Sequence, residues 1–176
     1  MTRIDVIAEM QLTAADDAAI ADLLHDALDE DFGGRSYHMQ RHHLRIVARD
    51  ADAVIGHIAL LMREIRLGDR LTPVIGVAEV VTRADRRGQG IAGAMLTEAI
   101  SQARGSMARF MVLFGDRPIY AGHGFHQAQN VLTWTTLDDV RSAGIRTGVD
   151  AGLMVLPLRD EVWDDAAPVD LVGHMF

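Results

Sequence analysis

The chain contains no cysteine. That absence excludes disulfides, thiolate metal sites and a cysteine acyl-enzyme, so any acyl transfer is direct or uses another nucleophile. No apolar run approaches the ~20 residues that a membrane helix needs. Met1-Thr2-Arg3-Ile4-Asp5 lacks the apolar core of a secretory signal. A cytoplasmic protein without a membrane partner is the expectation. Basic residues are also scarce: 17 Lys and Arg stand against 25 Asp and Glu, for a net charge of −8. A phosphate backbone requires a basic footprint, so no nucleic-acid partner is expected. A small cationic molecule suits an acidic protein, although acidity also serves plain solubility.

What remains is ample for one folded domain over 1–176. The chain is 49% hydrophobic and 24% charged, with no internal repeat or low-complexity segment. A first strand is expected at 4–9. A helix follows from Ala14 to Leu28, with Thr13 or a nearby Asp as its N-cap and Ile20, Leu23, Leu24, Ala27 and Leu28 at helical spacing. Leu44–Arg49, Val54–Leu67 and Leu71–Thr82 read as an antiparallel meander with turns at 50–53 and 68–69. A helix over 90–104 then precedes a strand at 109–114, a short helix at 116–123 and strands at 125–135 and 153–158. No element is predicted between Thr135 and Leu153. Residues 159–176 read as an acidic tail, with Trp163 and Phe176 as anchors. This order predicts an α/β fold with a mixed sheet.

Gly88-Gln89-Gly90-Ile91-Ala92-Gly93 opens the second long helix. Glycines let a backbone approach an anion, and free N–H groups at a helix start suit a pyrophosphate. The same letters spell the G-x-G-x-x-G dinucleotide fingerprint, with Asp116 about 20 residues on. That fingerprint places its first glycine directly after the strand. Here Arg83 to Arg87 intervene, and too few residues follow Asp116 for the remaining doubly wound units. An ordinary helix start explains one glycine but not two behind three arginines. Arg83, Arg86 and Arg87 form a local positive patch suited to phosphate oxygens.

Arg87-Gly88-Gln89-Gly90-Ile91-Ala92 matches, at every defined position, the Arg/Gln-x-x-Gly-x-Gly/Ala motif of the GNAT superfamily of N-acyltransferases, which the chain resembles. Val112 to Phe125, with Tyr120-Ala121-Gly122-His123-Gly124-Phe125, is similar to a later strand, helix and Tyr-x-x-x-Gly-Phe segment of that family. The two blocks cover about residues 54–135. Asp31-Phe32 and the run Thr82 to Gly88 give a finer resemblance to aminoglycoside 2′-N-acetyltransferases and nodulation acyltransferases.

The resemblance implies a central, mostly antiparallel sheet flanked by helices, with acetyl-CoA as acyl donor and no metal. Val80, Val81 and Thr82 would pair with the pantetheine arm. Arg87, Gly88, Gln89, Gly90, Ile91 and Ala92 would hold the pyrophosphate. The Val81 N–H would donate to the oxyanion, and Tyr120 would protonate the departing thiolate. Tyr120 also reads as a core tyrosine packed on Phe125. Glu79, among Val77, Ala78, Val80 and Val81, is the candidate general base. Burial would raise its pKa toward a useful range, although a bulge or register slip would turn it away. His57 is expected to line the acceptor pocket or assist deprotonation, or simply to be packed. Asp31, with Asp29 and Glu30, would hold a cationic amine or form a solvated turn. His38 and His42, at i, i+4 spacing, and His43 read as a metal site or as a polar surface helix. The implied reaction is direct transfer of acetyl to a primary amine of a small cationic acceptor. Alternatives are a protein or peptide N-acetyltransferase and a non-catalytic CoA-binding module. A homodimer through the last strands or tail is also anticipated.

Overall fold

The computed structural model describes residues 2–28 and 32–176, which fold as two units. One comprises Met1–Leu61 and Ala78–Ile100, the other Met62–Val77 and Ser101–Phe176. Two long strands belong to both.

In the first unit, β1 (Thr2–Ala8) pairs antiparallel with β2 (Leu44–Asp50) from Thr2↔Asp50 to Ala8↔Leu44. β2 pairs on its other edge with the first part of β3 (Ala53–Leu67), with an irregularity at Ala48/Arg49. The second half of β4 (Arg70–Thr82) also lies in this unit. Helix α1 (Ala14–Ala27) starts at Thr13, whose Oγ1 accepts from the Asp16 N–H at 3.1 Å. This cap satisfies one otherwise unpaired amide, and Asp16 and Asp17 complement the positive helix start. The apolar residues at helical spacing then face inward: Ile20, Leu23 and Leu24 pack with Phe32, Val47, Val54 and Val81. Helix α2 (Ile91–Gly105) buries Met95, Leu96 and Ala99 completely. Met95 seats over Gly56 of β3, where a Cβ would come within 2.8 Å of its Cε.

In the second unit the strands follow the order β6-β9-β5-β4-β3-β10-β7-β8. They are β5 (Phe110–Phe114), β6 (His126–Gln127), β7 (Leu132–Asp138), β8 (Arg141–Gly148), β9 (Leu153–Pro157) and β10 (Val169–Asp170). β4 and β5 run parallel from Val74↔Phe110 to Val77↔Leu113, and β7 and β10 are parallel as well. Antiparallel pairs join β5 to β9, β6 to β9, β7 to β8 and β3 to β10. The sheet is therefore mixed, with antiparallel pairing in the majority. Its core centres on Ile65, Phe110, Leu132, Val155 and Trp163. The short helix α3 (Pro118–Gly122) follows β5, with Pro118 suited to a first helical position.

Three expectations change. The strand expected at 125–135 is two, because Ala128 to Val131 leaves the ladder. There the Asn130 side chain accepts from Trp163 Nε1 and donates to the Asp164 and Ala167 carbonyls. β8 is an element the sequence does not announce: its residues are exposed nearly throughout, so it carries no alternating pattern. The segment 159–176 is more than a tail, since it supplies β10 and buries Trp163 edge-on to Phe110. Phe176 stacks on Phe114 and lies under the Arg63 guanidinium.

Candidate functional site

Glu79 interrupts β4 with a left-handed backbone, φ +53°. A non-glycine residue rarely adopts this conformation, and within a strand it marks a bulge-like break. Its side chain is only 4% exposed, while the residue as a whole is half-buried, so the accessible part of Glu79 is main chain.

The break is held from β3. His57 is fully buried, and its Nδ1 lies 3.1 Å from the Glu79 carbonyl oxygen. Its Nε2 lies 3.2 Å from Arg45 Nη1. A carbonyl only accepts and a guanidinium only donates, so the proton sits on Nδ1 and Nε2 is the acceptor. Burial pushes the His57 pKa down to about 4, with the Arg45 charge adding to it against the pull of Glu79. The ring is neutral, and both nitrogens are engaged. The ring is enclosed, as in the packed reading of the sequence, and it holds the Glu79 break against β3.

The Glu79 carboxylate collects donors from the loop before β2. Oε1 accepts from the His38 N–H at 2.7 Å and from His42 Nε2 at 3.0 Å, and Oε2 lies 3.5 Å from Arg45 Nη1. Burial alone pushes the carboxyl up. The hydrogen bonds from His42 Nε2 and the His38 amide outweigh it, and the pKa falls below the ordinary value. The expected upward shift is thus reversed. Arg45 is fully buried on β2 and grips Glu9 through Nε at 2.7 Å and Nη2 at 3.1 Å; Nη1 donates to the Ser36 carbonyl at 2.7 Å. His42 Nδ1 is buried and has no hydrogen-bond partner among the described residues, and the same holds for Thr82 Oγ1 at the end of β4.

Gly88 and Gly90 adopt φ +77° and +76°, and at either position a Cβ would meet nothing within 4 Å. Their requirement is conformational and not steric. The first bond of α2 runs from the Ala94 N–H to the Gly90 carbonyl at 3.0 Å. The amides of Ile91, Ala92 and Gly93 therefore stand ahead of the intrahelical ladder, at the positive end of the helix. The arginine patch is smaller than the sequence suggests. Arg83 pairs with Asp85 at 2.6 Å, and Arg86 pairs with Asp50. Arg87 donates from Nε to the Thr82 carbonyl at 3.3 Å, linking the loop to the end of β4.

Tyr120 belongs to α3 and to the second unit. Its ring meets Phe125 edge-on with centroids 6.1 Å apart, as the packing reading anticipates. Burial raises the phenol pKa; Arg117 opposes this and Asp116 adds to it.

The model of the family described as acetyltransferase (GNAT) domain matches residues 11–128, about two thirds of the chain. The chain belongs to the GNAT acetyltransferase family. The matched span contains the Glu79 break, the glycine loop and Tyr120. No curated protein matches the sequence. Among solved structures, the Escherichia coli GNAT family N-acetyltransferase YhbS in complex with CoA is similar at TM-score 0.72 and 21% identity, over 97% of this chain and 89% of that one. A Brucella melitensis GNAT family acetyltransferase in complex with acetyl-CoA is similar at TM-score 0.63 and 21% identity, over 95% and 94%. The Escherichia coli ribosomal-protein-S18-alanine N-acetyltransferase is similar at TM-score 0.61 and 13% identity, over 92% and 97%. At these identities the likeness shows the fold.

In this GNAT chain, Val81 packs into the α1 core, and Val80 and Thr82 are half-buried on β4. Gly88, Gln89 and Gly90 are exposed, and Gln89 Nε2 lies 3.5 Å from the Asp85 carbonyl. Asp31, with Asp29 and Glu30, lies outside the described residues. His38 and His42 sit in the loop between α1 and β2 and converge on Glu79, so they do not form a surface helix. Among the described residues no group of three or more His, Asp or Glu is arranged to hold a metal. None of the described helices is long and apolar enough to cross a membrane. Arg45 is the member of this cluster that sequence reasoning misses. A basic residue inside the apolar run Leu44 to Ala48 is the available signal.

Proposed function

We propose that this chain is an acetyl-CoA-dependent N-acetyltransferase that passes the acetyl group directly to a primary amine of a small cationic acceptor. One observation carries the reading: the family motif Arg87 to Ala92 forms a loop with two left-handed glycines that opens α2. The amides following Gly90 and the Arg87 guanidinium suit the pyrophosphate of CoA. Val80, Val81 and Thr82 supply strand amides for the pantetheine arm, and the Val81 N–H serves the oxyanion. Solved relatives of the same fold in complex with CoA and acetyl-CoA support this donor.

The chemistry asks for a proton acceptor near the amine and a proton donor near the sulfur. Tyr120 suits the second role, because burial keeps its phenol protonated at neutral pH. Glu79 and the groups bonded to it suit the first. The left-handed backbone there also fixes the direction of the amides that follow. Asp31 and the net charge of −8 favour a cationic acceptor.

Thermal shift and thiol release test this directly. Acetyl-CoA should raise the melting temperature at concentrations where NAD does not. A panel of polyamines, amino sugars and short peptides should then reveal CoA release with at least one small amine. Protection by NAD alone would refute the donor, and release only with peptides would refute the small acceptor.

A further inference from the structure

The groups that meet at Glu79 differ in what they have left to offer a proton. The Glu79 oxygens accept from the His38 amide, His42 and Arg45. Both nitrogens of His57 are engaged. His42 is different. Its Nε2 is 3.0 Å from a carboxylate oxygen that can only accept, so Nε2 carries the hydrogen. In the neutral ring Nδ1 then bears a lone pair, and that atom is buried with no hydrogen-bond partner among the described residues. A side chain only 7% exposed, with one nitrogen fixed by a carboxylate and the other bare, has the arrangement of an oriented imidazole base. A buried acceptor left unpaired loses its hydration without compensation, so the position demands an explanation beyond packing.

We propose that His42 is the general base of the acetyl transfer and that Glu79 is the residue that positions it. This rests on the acetyltransferase reading above. The neutral amine attacks the thioester carbonyl carbon, the C–N bond forms, and the carbonyl electron pair moves onto oxygen. The amine proton passes to His42 Nδ1, giving an imidazolium paired with Glu79. Collapse re-forms the carbonyl and breaks the C–S bond, and the sulfur leaves with the electrons of that bond. The departing thiolate takes up a proton, and His42 gives its own up to water. The charged and titratable groups around His42 are Glu79 on β4, Arg45 on β2, His57 on β3 and Glu9 in the turn after β1.

The test uses the full chain, saturating acetyl-CoA and 2,2,2-trifluoroethylamine, an amine already neutral near pH 7, followed by thiol release. His42→Gln should lower kcat by about 100-fold or more while leaving KM for acetyl-CoA unchanged, and should abolish the rise of rate with pH. Glu79→Gln should lower kcat less and keep a rise with pH. A rise retained by His42→Gln, or lost only in Glu79→Gln, overturns the proposal while leaving the acetyltransferase reading intact. If the wild type releases no thiol with any amine of the panel, that reading fails and takes this one with it. A second measurement needs no variant. Imidazole 15N–1H correlation spectra of the unliganded protein should show neutral His42 with its hydrogen on Nε2, and a hydrogen on Nδ1 in the neutral ring would overturn the assignment.

Discussion

The ring of His57 fastens the backbone of Glu79: Nδ1–H donates to the Glu79 carbonyl across 3.1 Å, while Nε2 accepts from Arg45 at 3.2 Å. One neutral imidazole thus ties β3 both to the left-handed break in β4 and to the buried guanidinium of β2. Replacing it removes a packed ring and takes one partner each from the Glu79 carbonyl and the buried Arg45 guanidinium. His57→Ala should lower unfolding stability by about 2–4 kcal/mol, read from urea melts. A loss below about 0.5 kcal/mol would mean that the break holds without it.

The same ring makes stability depend on pH. In the folded chain the His57 pKa is about 4, against an ordinary value of 6.5. Between those values the unfolded chain binds the proton and the folded chain does not, so stability falls as pH is lowered from 6.5 toward 4. Glu79 acts further down. Its depressed pKa contributes stability above the ordinary 4.5, and that contribution is lost as pH falls through the folded value. Wild type should show a continuous decline below pH 6.5. A variant such as His57→Gln should flatten the upper window and retain the lower one. An unchanged slope between pH 4 and 6.5 would assign that window to other histidines.

Gly88→Ala and Gly90→Ala would place a Cβ on backbones at φ +77° and +76°. Nothing crowds either position, so the cost is conformational, about 1 kcal/mol each. Relaxation toward negative φ would turn the amides that open α2, so acetyl-CoA affinity should fall more than stability does. Isothermal titration beside a thermal melt separates the two. An equal loss of both would reduce the glycines to a structural role.

These two sites are unequally legible in the sequence. The glycine loop is readable because its chemistry is local: spacing, helix start and arginine all fall within a few residues. The burial of Glu79 is readable from its apolar neighbours. The direction of its pKa is not, because His38, His42 and Arg45 reach it from 34 to 41 residues away. Burial alone predicts a raised value; partners fixed by tertiary packing reverse it. The arginine patch shrinks for a similar reason, since Asp50, which pairs with Arg86, lies 36 residues upstream. β8 escapes notice because an exposed edge strand needs no hydrophobic alternation, and the break between β6 and β7 depends on the distant Trp163.

The arginines before α2 should separate by function. Arg83 is paired with Asp85, so Arg83→Ala should change acetyl-CoA affinity by less than about twofold. Arg87 donates to a backbone carbonyl and has no acid partner among the described ion pairs. Loss of a charged hydrogen bond to phosphate is worth about 1.5–3 kcal/mol, so Arg87→Ala should weaken binding roughly 10- to 100-fold. Equal effects in the two variants would show that general positive charge, and not the motif arginine, attracts the donor.

Tyr120→Phe completes the set, because it removes one oxygen and keeps the ring that packs on Phe125. Burial holds the phenol protonated across the neutral range, so its role as acid requires no unusual ionisation. Removing a general acid lowers the chemical step by about 10²- to 10⁴-fold. The expected pattern is therefore a fall in kcat with acetyl-CoA affinity and melting temperature nearly unchanged. A thioester with a better leaving group sharpens the comparison, since it needs less help from an acid and should recover much of the lost rate in Tyr120→Phe. If the variant loses affinity and rate together, or if the better leaving group recovers nothing, Tyr120 serves packing and the thiolate takes its proton from water.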